Sequence, residues 1–267
     1  MKTTGRVVLS ILIVISLISL FAPFLSKYDP DRIDLGSLKE TPGVNHLLGT
    51  DSKGRDILTR ILYGGRISVS IAVFSAFLSM AVGLAVGLCS GYFGGRIDSA
   101  IMAFVDLVLS FPALLLAIGI SVIFPPGVYT VLVAIAAVGW ASFARIIRGY
   151  VLTLRESSFV EAARSVGCSN ARILLVHLLP QCLPLLLVVA GMKIGGYILT
   201  EASLSFLGLG AQPPTATWGS MISANRVYIS SAPWMVFPPG FMIALTALCF
   251  NILGDTLREK YGLRIKG

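Results

Sequence analysis

Six stretches of this chain, approximately 7–25, 67–93, 99–123, 128–147, 180–204 and 236–254, each hold about 20 mainly apolar residues, enough for a helix to cross the hydrocarbon core of a bilayer. Backbone polar groups find no partner in lipid, so each run must satisfy its own amides as a helix. The expected fold is an all-α integral membrane protein of about six transmembrane helices. Composition agrees: 55% of residues are hydrophobic and 13% charged, where a soluble domain has about 45–50% and about 25%.

The second run reads AVGLAVGLCSGYFGG, a concentration of small residues that suits close helix contact in lipid. The first is too long for the apolar region of a secretory signal and has no clear small-residue cleavage site after it, so it is expected to be retained. Four cysteines give no disulfide framework. Cys89, Cys182 and Cys249 lie in apolar runs, read as small buried hydrophobes, and Cys168 is a loop thiol.

The net charge of +8 is distributed by topology. Lys2, Arg6, Arg96, Arg145, Arg148, Arg155, Arg164, Arg172, Arg258, Lys260, Arg264 and Lys266 collect on one side. The other side has the FPPG turn at Pro125 and a loop, 205–235, whose sole basic residue is Arg226. Since cytoplasmic connections retain Lys and Arg, both termini and the 156–180 loop are expected to be cytoplasmic. The segment 26–66 is external by parity, although its seven basic residues run against the rule. These short loops supply little basic surface for nucleic acid.

The 156–180 loop is polar in a greasy chain. In ESSFVEAARSV, Phe159, Ala162, Ala163 and Val166 fall at three- and four-residue spacing, which predicts one apolar stripe on a short helix. Gly167 then stops that helix, and Ser169 or Asn170 caps a second one running through ARILLVHLL to Pro180. Helices this short are marginal alone, so the hairpin needs a surface to dock on. From the residues alone that surface is either a partner or its own membrane domain and the lipid headgroups.

Glu161-Ala162-Ala163, three residues, Gly167, and then His177-Leu178-Leu179-Pro180 resembles the EAA loop of the membrane subunits of bacterial ABC importers. HLLGTDSKGRDILTRILYGGRISV (46–69) and EASLSFLGLGAQPPTATWG (201–219) are similar to the peptide and nickel branch of that family, which commonly has histidine at the position of His177. The resemblance spans nearly the whole chain. It implies a first helix and an extracytoplasmic segment in 1–66 and the importer transmembrane domain in 67–267, with the loop at 156–180. It also implies a permease for di- or oligopeptides, or alternatively nickel, in the bacterial cytoplasmic membrane. Its partners would be a second related permease, two cytoplasmic ATPase subunits and an extracytoplasmic binding protein. Glu161, Ala162, Ala163, Gly167, His177 and Pro180 would then form the ATPase-docking loop. The sequence has no G-x-x-x-x-G-K-[ST] phosphate loop, so ATP hydrolysis belongs to a partner. Glu201 looks more like the peptide members than the nickel members.

Charges within spans point to function by default. Asp106 and Lys193 are candidates for the translocation path or a gate. Asp106 alternatively pairs with Arg145 or Arg148, and Lys193 with Asp106 or another subunit. His46 and His177 fall on opposite sides of the membrane, so they form no shared metal site, and no cofactor or metal is expected. GTDSKGRD is either a docking surface for a binding protein or a solvated loop. Trp218, Tyr228 and Trp234 read as interfacial anchors or partner contacts. A self-contained channel or secondary transporter would instead need internal repeats or broken helices with midplane carboxylates. A membrane-embedded enzyme would need a catalytic cluster, and the sequence offers none.

Overall fold

The computed structural model describes residues 3–261, so Lys2, Arg264 and Lys266 of the charge pattern lie outside the described residues. Those residues are helical, with one isolated bridge between Thr50 and Asp56 and no strand. Helix α1 (Thr3–Leu20) is followed by the short α2 (Ala22–Leu25). The long α3 (Ile57–Phe93) comes next, and then α4 (Gly95–Ser110), α5 (Ala113–Ile123) and α6 (Val128–Arg155). The hairpin supplies α7 (Ser158–Ser165) and α8 (Asn170–Arg172). Helices α9 (Leu179–Phe206), α10 (Trp218–Asn225) and α11 (Phe237–Lys260) complete the chain.

Among the described residues five helices are long and apolar enough to cross a membrane, and α4 with α5, bent by 90° at their break, brings the number to six where the pair counts as one span. Three expectations are corrected. The run 99–123 is not one straight helix, because Pro112 cannot donate to the helical ladder and Phe111 before it is extended (ψ 142°). The second span starts at Ile57 rather than near 67: the Asp56 carboxylate caps it by accepting from the Thr59 amide at 2.8 Å, and the added turns carry polar residues that apolarity does not register. The second hairpin helix does not end at Pro180. It passes through a π-helical turn, Ile173–Leu178, straight into α9.

Helix α3 lies along α6, and the small residues of its apolar run explain the fit. Gly83, Gly87 and Gly91 fall four apart on the contact face, and a Cβ on Gly87 would stand 2.7 Å from the Ala144 carbonyl and 2.8 Å from Ile147 Cβ. Helices α9 and α11 meet in the same way at Gly191 and Gly254. Helix α1 packs on α11 and α3 through Val8 and Leu12, with Cys249 opposite. Of the cysteines, Cys182 and Cys249 are buried and Cys168 half-buried; Cys89, expected inside, is exposed on the outer face of α3.

Candidate functional site

The hairpin is anchored on the ends of the spans. Val160 and Ala163 of α7 are buried in one cluster with Tyr92 at the end of α3, Val151 near the end of α6, and Ile173 and Leu178 ahead of α9. The Tyr92 hydroxyl donates to Asn170 Oδ1 at 2.7 Å, and the Arg164 guanidinium lies 5.3 Å over the Tyr92 ring. Gly167 has φ +80°, and the Cys168 amide donates to Ala163 O while Gly167 donates to Arg164 O. This pair of bonds closes a helix around a left-handed residue. The Ser169 hydroxyl then accepts from the Arg172 amide, as a cap.

The expected apolar stripe divides. Ala163 faces inward with Val160, whereas Phe159, Ala162 and Val166 face outward, Val166 at 79% exposure. Glu161 is exposed beside them. Three- and four-residue spacing fits either face of so short a helix, and only the neighbouring spans decide which one is covered. Helix α7 thus presents a small outward surface of apolar and acidic residues on a buried base. His177 is half-buried in the π turn, and Pro180 is exposed in the first turn of α9.

At the other end of α3 the GTDSKGRD stretch is not a solvated loop. Thr50, Asp51, Arg55, Asp56 and Arg60 are all buried. Asp51 accepts from the Lys53 and Arg55 amides and, at 2.7 Å, from Arg55 Nε. Arg60 donates to Pro30 O, Asp31 Oδ1 and Pro214 O, tying the 26–56 segment to the loop before α10. His46 lies 2.9 Å from the Asp56 carboxylate with its ring against Tyr28, at the opposite end of α3 from His177. Sequence reasoning singled out this stretch but missed its buried network; the signal was the acid and base four apart followed by a capping Asp.

The aromatic expectation is corrected for Trp218. It is fully buried, donating from Nε1 to Ile61 O at 3.0 Å, so it ties α10 to α3 and is not an interfacial anchor. Tyr228 and Trp234 are partly buried against the cluster around Ile57, Ile61 and Met235, and the Lys39 ammonium stands 4.0 Å over the Tyr228 ring.

Of the charges in the spans, Asp106 pairs with Arg145, both side chains exposed on the outer face of α4 and α6. Asp98 accepts from Arg148 Nε at 2.9 Å and from the Ser90 hydroxyl. Lys193 does not reach Asp106 and lines a small cavity under the α4–α5 break. Glu201 is fully buried; its Oε1 accepts from the Ser205 hydroxyl at 2.7 Å. Among the described residues no three His, Cys, Asp or Glu side chains gather as metal ligands.

An all-helical bundle of this kind, with one short helix displayed on a buried base where three long helices end, is that of a multi-pass membrane protein. Residues 83–266 match the family described as "Binding-protein-dependent transport system inner membrane component". The glutathione transport system permease protein GsiD of Escherichia coli O6:K15:H31 (strain 536 / UPEC) is 42% identical over 256 residues, covering 96% of this chain and 84% of that protein. The GsiD protein of Shigella boydii serotype 4 (strain Sb227) matches to the same extent, 42% over 96% and 84%. A structure of inward-facing conformations of the MetNI methionine ABC transporter shares the fold with TM-score 0.61 at 20% identity, covering 76% of this chain and 96% of that one. The chain belongs to this family of inner-membrane components, the permease subunits of ABC importers, in its peptide and nickel branch. A broken span was a mark of the secondary-transporter alternative; family membership shows that a permease of this class carries one too.

Proposed function

We propose that this permease forms half of a translocation path for di- and oligopeptides, paired with a second related permease. Cytoplasmic ATPase subunits dock on α7, and an extracytoplasmic binding protein delivers the cargo. The outward face of α7, with Glu161, Ala162 and Val166 set on a buried base shared by α3, α6 and α9, carries this reading. A docked helix without such a base would swing freely; this one transmits displacement to the ends of three spans, as a two-state alternation of access requires. Both termini and the hairpin face the cytoplasm, and the chain itself hydrolyses no ATP. His177 and Pro180 fix the hairpin's exit into α9. Asp106 and Lys193 belong to the path or its gate.

The peptide reading is supported by the relatives named as glutathione permeases and is preferred to nickel. Two measurements test the proposal. The ATPase subunits should co-purify with the wild-type chain, and the yield should fall at least about tenfold with Glu161→Lys, the loss of about 1.4 kcal/mol of docking energy. Unchanged co-purification removes α7 from the docking site. The ligand carried by the cognate binding protein, identified by mass spectrometry, should be a short peptide; nickel would overturn the choice of cargo.

A further inference from the structure

Lys193 lies halfway along α9, and among the described residues it has no ion pair or hydrogen bond. Asp98 pairs with Arg148 and Asp106 with Arg145, Asp255 of α11 is exposed, and Glu201, about two turns further along α9, accepts from the Ser205 hydroxyl at Oε1 while its buried Oε2 has no partner among the described residues. An ammonium at this depth is costly without an anion beside it, and such residues usually face a path or a partner charge.

The lysine opens into a cavity of about 80 Å³ closed on one side by Phe111 and Ala113 at the α4–α5 break. Ser142, Tyr197 and Thr200 bring three hydroxyls to the same lining, which contains no carboxylate. Tyr197 donates to Ser79 and Thr200 to the Gly196 carbonyl, whereas the Ser142 hydroxyl has no partner among the described residues. The cavity therefore offers a free cation and a free hydroxyl donor and nothing to answer them. A water-sized group needs about 10–15 Å³, so the space takes a carboxylate and excludes a whole peptide. Two or three donors around a carboxylate, one of them charged, form strong hydrogen bonds in a site shielded from water.

We infer that this cavity is a subsite for a carboxylate of the transported peptide, held by the Lys193 ammonium and the Ser142 hydroxyl as the cargo passes the α4–α5 break. The inference rests on the peptide reading above and assigns the chemical group that the path engages. No bond is made or broken; the carboxylate exchanges its water for the two donors and leaves when the path reopens.

The test uses the complete transporter, with both permeases, the ATPase subunits and the binding protein, reconstituted in proteoliposomes. Uptake of trialanine and of trialanine amide is compared. Lys193→Met keeps the stem and removes the cation, and assembly of the complex is checked by co-purification of all its subunits. Its trialanine uptake should fall about tenfold, the scale of one charge-assisted contact. The wild type should favour the acid over the amide, and that preference should collapse toward one in Lys193→Met; Lys193→Arg should retain it. Trialanine uptake in Lys193→Met within twofold of wild type overturns the inference, as does a preference that is absent in the wild type or unchanged in the variant. Equal losses in the Met and Arg variants overturn it by making shape, not charge, the determinant. Failure of Lys193→Met to assemble overturns it by giving the lysine a counter-charge on the neighbouring permease. A wild-type system that carries neither trialanine nor its amide refutes the peptide reading itself, a result distinct from all of these.

Discussion

Asp51 shows how much one buried residue organises. Its carboxylate receives two backbone amides and the Arg55 guanidinium while only 2% exposed. Removing it leaves Arg55 buried without its anion, and breaking such a pair costs about 3–5 kcal/mol. Asp51→Ala should therefore lower the thermal unfolding midpoint in detergent and open the 26–56 segment to protease, whereas Lys53→Ala, outside the buried set, should change neither. Glu201 makes a second case. Glu201→Gln keeps an acceptor for the Ser205 hydroxyl and should shift stability by less than about 1 kcal/mol, while Glu201→Ala leaves a cavity and an orphaned donor and should cost about 2–4 kcal/mol. The identities of these residues were legible in the sequence, but their burial was not. A charged string such as GTDSKGRD has the composition of a solvated loop, and only the fold buries its Asp51, Arg55 and Asp56, beside an Arg60 held by Pro30, Asp31 and Pro214.

Among the elements, the hairpin was the most legible and still partly misread. Its glycine stop and its cap follow from local chemistry, and the structure has both, whereas its second helix runs on past Pro180 into α9. The covered face was not local: Phe159 and Val160 are neighbours in sequence and point to opposite environments. Gly167 sits at φ +80°, where a Cβ costs about 1–2 kcal/mol. Gly167→Val should re-aim α7 and reduce ATPase co-purification several-fold, with only a small change in the unfolding midpoint of the permease. Val160→Asp attacks the base of α7 instead. It should leave the outward docking residues chemically intact while uncoupling ATP hydrolysis from uptake, measured as retained ATPase activity with uptake reduced about tenfold or more, since burying an unpaired carboxylate loosens the shared core.

Across the whole molecule, α3 connects the two ends. It begins at the buried network of Asp51, Arg55 and Asp56 and ends in the cluster that holds α7, and its glycine face keeps it against α6 between them. The orientation argued from Lys and Arg predicts a labelling pattern. A membrane-impermeant maleimide should reach Cys168 in inverted vesicles and not in intact cells, and should reach Val44→Cys, at a site 97% exposed, in intact cells. Buried Cys182 and Cys249 should stay unlabelled in both until the protein is denatured. The reverse pattern would invert the topology and place α7 beyond the reach of ATP.

Length and apolarity by themselves determined that the chain is helical, that it crosses the membrane about six times and that one polar hairpin interrupts the pattern, because lipid leaves the backbone no other way to satisfy its amides. Three motifs carried the resemblance to the family, and the match over residues 83–266 shows it. Only the tertiary structure decided that the run 99–123 is broken at Pro112, that Trp218, Asp51, Arg55 and Asp56 lie inside, and that Phe159, Ala162 and Val166 face outward from α7. The reason is the same in each case. Periodicity and composition report which residues can be buried, whereas burial itself depends on the surface that a distant segment brings to them.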